Sequence, residues 1–99
     1  MTNSTVRQVK PLFPLGATLA TPAALNVLEK AEISAGSLFD RHICGDWGDL
    51  DQDDKNSNDL ALKNAASIFS SYNLPTGLTV WIITEGDRSA TTILLPSEY

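Results

Sequence analysis

Ninety-nine residues, 42% of them hydrophobic and 19% charged, suffice for one small globular domain with a single core and are too few for two. Twelve acids against seven bases leave a net charge of −5, and the bases stand singly along the chain, so no basic stripe is present to hold a nucleic-acid backbone and direct DNA binding is not expected. No run approaches the roughly 18 apolar residues of a membrane span, and the single cysteine, Cys44, has no partner for an internal disulfide, which points to a reducing, cytoplasmic setting.

Residues 1–10, "MTNSTVRQVK", are polar and without periodicity and are expected to form a mobile leader to a single domain over 11–99. "GATLAT" predicts a short strand. Thr21-Pro22 then starts a first helix, with Thr21 as cap and Pro22 at the first helical position, where its missing N–H costs nothing. Ala24, Leu25, Val27 and Leu28 form that helix's apolar stripe. Ser34 caps a second helix running to about Cys44, which buries Leu38, Phe39 and Ile43 and ends at Gly45, with Arg41 and His42 in a last turn whose dipole favours positive charge. A third helix is predicted from about Asp51 to Ala65, turning Leu62, Ala65 and Ala66 inward. Three strands follow, "SIFSSYN", "LTVWIITE" and "ATTILL", joined by Pro75-Thr76-Gly77 and Gly86-Asp87 as an antiparallel meander. The expected fold class is α+β, with about three N-terminal helices packed on one face of a three- or four-stranded antiparallel sheet.

Six of the twelve acids fall between Asp46 and Asp59, inside "HICGDWGDLDQDDKNSND". Asp49, Asp51 and Asp53 reproduce the opening of a calcium loop, but Asp54 stands where the turn glycine belongs and Leu60 where the bidentate glutamate belongs. His42 and Cys44 are too few and too closely spaced for zinc, and Asp46 with Asp49 is an unspecific magnesium pair, so no metal or other cofactor is expected. Helix physics accounts for much of the charge: Asp51 suits an N-cap, Asp53 and Asp54 suit the first turn, and Asp59 can pair with Lys63. Asp46-Trp47-Gly48-Asp49 precedes the helix and is left over. Trp47 is either a plug set down onto the core, the preferred reading, or a contact residue in a partner site.

An enzymatic alternative is a metal-independent, ribonuclease-like or toxin-like site with Glu85 as base, His42 as acid and Arg88 as phosphate cation, which requires the three to converge on one cleft. None of the serines sits in a nucleophile elbow and no phosphate loop is present.

The blocks "LATPAAL" at 19–25, "RHICGDWGDL" at 41–50, "ND" at 58–59 and "VWIITEGDRSATTILLPSEY" at 80–99 carry a resemblance. From Pro11 to Tyr99 the chain resembles a family of small bacterial proteins of plasmids and integrated mobile elements, catalogued as "plasmid-related protein" and at times mislabelled as a restriction-modification subunit. The resemblance implies no activity, cofactor or catalytic residue. It does imply a mobile-element setting, in which small acidic proteins block host defences by standing in for DNA phosphates, although such mimics spread carboxylates more widely than one loop and helix start. The expected function is that of a small acidic, non-catalytic interaction protein. Asp46, Trp47, Asp49, Asp51, Asp53 and Asp54 would form a patch that docks a basic protein surface of a host nucleic-acid-processing or defence system.

Overall fold

The computed structural model describes residues 10–99, so the leader assigned to 1–10 lies, but for Lys10, outside the described residues. The chain runs β1 (Ala17–Ala20), α1 (Pro22–Ala31), α2 (Ala35–Ile43), α3 (Gln52–Asn64), β2 (Ile68–Asn73), β3 (Thr79–Thr84) and β4 (Ala90–Leu94), then a terminal 3-10 turn at Pro96–Glu98. Among the described residues, no helix is long and apolar enough to cross a membrane.

All three helices start where a side-chain oxygen can take an orphan backbone N–H. Thr21 Oγ1 accepts from the Ala24 amide (3.1 Å), Ser34 Oγ from Ser37 (3.1 Å) and an Asp51 carboxylate oxygen from Asp54 (2.9 Å). The helix ends are less conventional. α1 and α3 stop at Glu32 (φ 58°) and Ala65 (φ 50°), non-glycine residues in the left-handed region. That conformation costs a side-chain-bearing residue about 1–2 kcal/mol, against about 0.5–1 kcal/mol for the extra unfolded-state freedom of glycine. Ala65→Gly is therefore expected to stabilise the protein by up to about 1 kcal/mol, seen as a rise of several degrees in thermal midpoint. An unchanged or lower midpoint would contradict this account of the α3 end.

The sheet order is β1-β4-β3-β2. β2, β3 and β4 form the antiparallel meander, with Ile82 opposite Ser70 on one side and Ile93 on the other. β1 corrects the expectation of an antiparallel sheet, because it lies parallel to β4, Ala17 to Ala20 against Ala90 to Ile93. The meander grows inward from the β2 edge and leaves the far side of β4 open, which β1 fills. Gly16 makes the approach possible: at φ +67° it passes against the Arg88 and Ser89 carbonyls, where a Cβ would collide with backbone. Thr21 then both closes the β1–β4 ladder, its amide donating to the Ile93 carbonyl (3.0 Å), and caps α1.

Strand alternation places Ile68, Ser70, Tyr72, Val80, Ile82, Thr84, Thr91 and Ile93 on one fully buried face. Ala24 and Leu28 of α1 and Leu38 of α2 join Tyr72, Val80, Ile82 and Ile93 in the main core cluster. Each of the Leu, Val and Ile side chains contributes about 1.5–3 kcal/mol by burial. A second cluster gathers Phe13, Trp47, Ala61 of α3 and Ile68. Two helix-stripe expectations are corrected. Leu25 is half exposed, since the α1 stripe runs through Ala24, Val27, Leu28 and Ala31. In α3 the buried positions are Asn58 and Ala61, whereas Ala65 and Ala66 are exposed because the helix ends before a further turn could carry them inward.

Candidate functional site

The acidic stretch begins where α2 ends. Cys44 caps the helix, Gly45 turns the chain at φ +90°, and the Asp46 amide returns to the Arg41 carbonyl (2.9 Å). This turn brings Arg41 beside Asp46, where Nε and Nη2 donate to the two carboxylate oxygens at 2.7 and 3.2 Å. The fork geometry and the charge hold the Asp46 carboxyl below the usual carboxylate range. Below the pair, the Arg41 guanidinium lies 4.5 Å from the Tyr72 ring centre, and the Tyr72 hydroxyl donates to the Asp46 carbonyl (2.6 Å). Burial pushes that phenol well above its ordinary value, so it stays a donor.

Of the two readings of Trp47, the structure shows the plug. The indole is 5% exposed, packs on Phe13 (6.2 Å between centroids) and against His42 (5.7 Å), and directs Nε1 at an Asp59 oxygen 3.4 Å away. Trp47 therefore leaves the set of surface-contact residues: almost none of it can be touched from outside.

Trp47 and Asp49 fasten the loop to the sheet. The Ser71 amide donates to the Trp47 carbonyl (3.2 Å), the Asp49 amide donates to the Ser71 carbonyl (2.7 Å), and the Asn73 amide donates to an Asp49 carboxylate oxygen (2.8 Å). Gly48 is indispensable between them. Its φ is +77°, and a Cβ there would overlap the Ser71 carbonyl and the Tyr72 ring. One step along β2, the Asn58 side chain mimics a peptide, its amide N–H meeting the Phe69 carbonyl (2.5 Å) and its oxygen accepting from the Phe69 amide (3.0 Å). Alternate residues 69, 71 and 73 are the ones whose backbone points off the β2 edge, and the loop and α3 satisfy all three amides and the carbonyls of Phe69 and Ser71. The acidic stretch thus seals a sheet edge that would otherwise template strand pairing.

The carboxylates of Asp46, Asp49, Asp51, Asp53, Asp54 and Asp59 all remain exposed on this rigid support. Among the described residues, Arg41–Asp46 is the one ion pair, so the Asp59–Lys63 pair expected along α3 does not form within 4.0 Å. Asp49 braces β2 and Asp51 caps α3, which pulls apart the calcium-like series. Among the described residues no three His, Cys, Asp or Glu side chains gather as a metal-ligand set.

The ribonuclease-like trio is not assembled. His42 is fully buried, with Nδ1 2.6 Å from Ser70 Oγ and Nε2 2.8 Å from Thr84 Oγ1. A hydroxyl has one proton, so the direction of the chain follows from its end. Thr91 donates to the Leu15 carbonyl (2.7 Å) and must accept from Thr84 (2.8 Å), and Thr84 must then accept from Nε2–H. Nδ1 is left bare and accepts from Ser70. Burial pushes the imidazole pKa down to about 4, so the ring is neutral at pH 7, with its one N–H committed to Thr84 and no surface from which to meet a substrate. Arg88, itself at φ 64°, spends its guanidinium on the carbonyls of Ala61 (2.9 Å), Ala66 (2.7 Å), Glu85 (3.2 Å) and Gly86 (3.0 Å), tying the α3 end to the β3–β4 turn. Glu85 is exposed. The cation is a structural brace and the acid a core residue, which removes two of the three proposed roles.

Sequence reasoning missed Asn58 and the Ser70–His42–Thr84–Thr91 chain. A signal was present, since Ser70 and Thr84 share the period-2 positions of Ile68/Tyr72 and Val80/Ile82, and a buried strand hydroxyl needs a partner. No family model, curated protein or solved structure matches the chain.

Proposed function

We propose that the protein is a non-catalytic interaction module that presents Asp46, Asp49, Asp51, Asp53 and Asp54 to a basic protein surface. The observation that supports it is a preformed acidic patch: five exposed carboxylates on a loop and first helical turn, with one cation paired among them, on backbone fixed to β2. A surface already ordered loses little conformational freedom on docking, and unpaired carboxylates give such a patch both steering and selectivity for positive partners. The resemblance to proteins of plasmids and integrated elements makes a basic component of a host nucleic-acid-processing or defence system the partner in this reading.

Asp51, Asp53 and Asp54 can be replaced together by asparagine without loss of the α3 cap, since asparagine caps as well as aspartate. The triple variant is expected to keep its thermal midpoint within about 5 °C of the parent, because loss of helix-dipole stabilisation is offset by relief of like-charge repulsion. In affinity capture from host lysate, partners retained by the parent should be basic, released by moderate salt and lost with the variant. Capture that survives both the substitutions and salt would overturn the docking role.

A further inference from the structure

The sheet face opposite the core contains a site that the acidic patch does not involve. We propose that a pocket formed by Phe69, Trp81, Ile83, Ser67 and Tyr99 binds an organic cation of the quaternary ammonium class. Phe69 and Trp81 are diagonal neighbours on β2 and β3, because Ser71 faces Trp81 and Phe69 faces Ile83 in the ladder. Their rings stand 4.9 Å apart at 88°, and the Tyr99 ring, carried over the sheet by the 3-10 turn, stands 5.7 Å from Trp81 at 68°. Two rings thus rise steeply from the plane of a third around a cavity of about 250 Å³. Tyr99 is 83% exposed, so the site is reached directly from solvent.

Charge selects the ligand. The four strands contain no charged residue. The nearest guanidinium by sequence, that of Arg88, is bonded to four carbonyls and lies 5.8 Å from the Phe13 ring, on the core side of the sheet. A nucleobase could stack here, but none of the residues that line the pocket is a cation for its phosphate, and the chain's net charge is −5. An alkylated ammonium meets the opposite conditions: three aromatic rings in the lining, whose π-systems attract positive charge, apolar contact for its methyl groups, and an overall negative charge. Ser67 and Ile83 complete the lining without adding charge.

The test is a titration of the full chain with tetramethylammonium, followed by the indole N–H resonance of Trp81, with buried Trp47 as internal control. Saturable shifts at Trp81 and none at Trp47 are expected. Tyr99→Ala, at an exposed position that leaves the core intact, should weaken binding about fivefold or more, and Trp81→Leu should abolish it. Choline should bind more tightly than its neutral carbon isostere by a similar factor. A trimethyl-lysine peptide that binds more tightly than choline places the natural cation on a protein, and the reverse order places it on a free small molecule. The proposal is overturned if tetramethylammonium gives no saturable shift, if the neutral isostere binds as well as choline, or if Tyr99→Ala binds like the parent.

Discussion

Lowering the pH from 7 to 4 is expected to remove about 3 kcal/mol of folding stability through His42 alone. The imidazole is neutral and buried in the folded chain, with its pKa pushed down to about 4, against about 6.5 when unfolded. The unfolded state therefore binds the proton first. Stability from this residue is fully present above pH 6.5, falls as the pH drops through the interval, and is lost once the pH reaches about 4. Protonation would also require Nδ1 to donate, which conflicts with the proton it accepts from Ser70. Asp46, whose carboxyl Arg41 holds below the usual carboxylate range, also loses stability as the pH falls, so the share of the buried ring is read from a variant that lacks it. Urea unfolding at intervals between pH 7 and 4.5 would measure the slope. In His42→Gln, whose amide can still reach Ser70 and Thr84 but does not titrate, the slope should flatten at some loss of stability at pH 7. A parent protein of constant stability over this range, or a variant that keeps the full slope, would refute the assignment.

Trp47→Ala should destabilise the protein by about 3–5 kcal/mol, a large part of the ~5–15 kcal/mol that holds a domain of this size together. The indole fills the second core cluster between Phe13 and His42, and its carbonyl is an anchor of the β2 edge. Its removal opens a cavity beside a polar network that water could then invade. Trp47→Phe, which keeps part of the volume, should cost clearly less. Denaturant unfolding at neutral pH distinguishes this plug from a surface contact residue: truncation of a contact residue would change stability by less than about 1 kcal/mol and act on partner binding instead.

The two outcomes bear on the acidic patch differently. If Trp47→Ala unfolds the loop, loss of partner capture by that variant says nothing about contact, whereas the asparagine substitutions alter charge on an intact support. Backbone groups of Trp47 and Asp49 and the Asp49 carboxylate close the sheet edge, and the docking role proposed for the exposed carboxylates is tested only by variants that leave this support in place.

The helix starts were legible in the sequence because each is decided within four residues. Thr21-Pro22, Ser34 and Asp51 carry their caps in the residue itself, and the receiving amide is three positions on. The meander was equally local, set by alternation within "SIFSSYN", "LTVWIITE" and "ATTILL" and by the turn residues between them. The position of Asp53 and Asp54 in the first turn of α3 follows in the same way, since polar side chains at a helix start with a thin apolar face stay in water.

What required the tertiary structure is everything decided by partners far along the chain. His42 reads as a surface residue at a helix end, yet its partners lie 28 and 42 residues away on two strands. Arg88 reads as a free cation in a turn, yet one of the carbonyls it serves is 27 residues back, at Ala61. β1 is too short to declare its direction, and its parallel pairing with β4 is visible only in the assembled sheet. Short-range chemistry determines which segments are helix, strand and cap. Which polar groups are drawn inside depends on whether the assembled sheet and helices offer each buried donor or acceptor its complement, and that is a property of the packed fold.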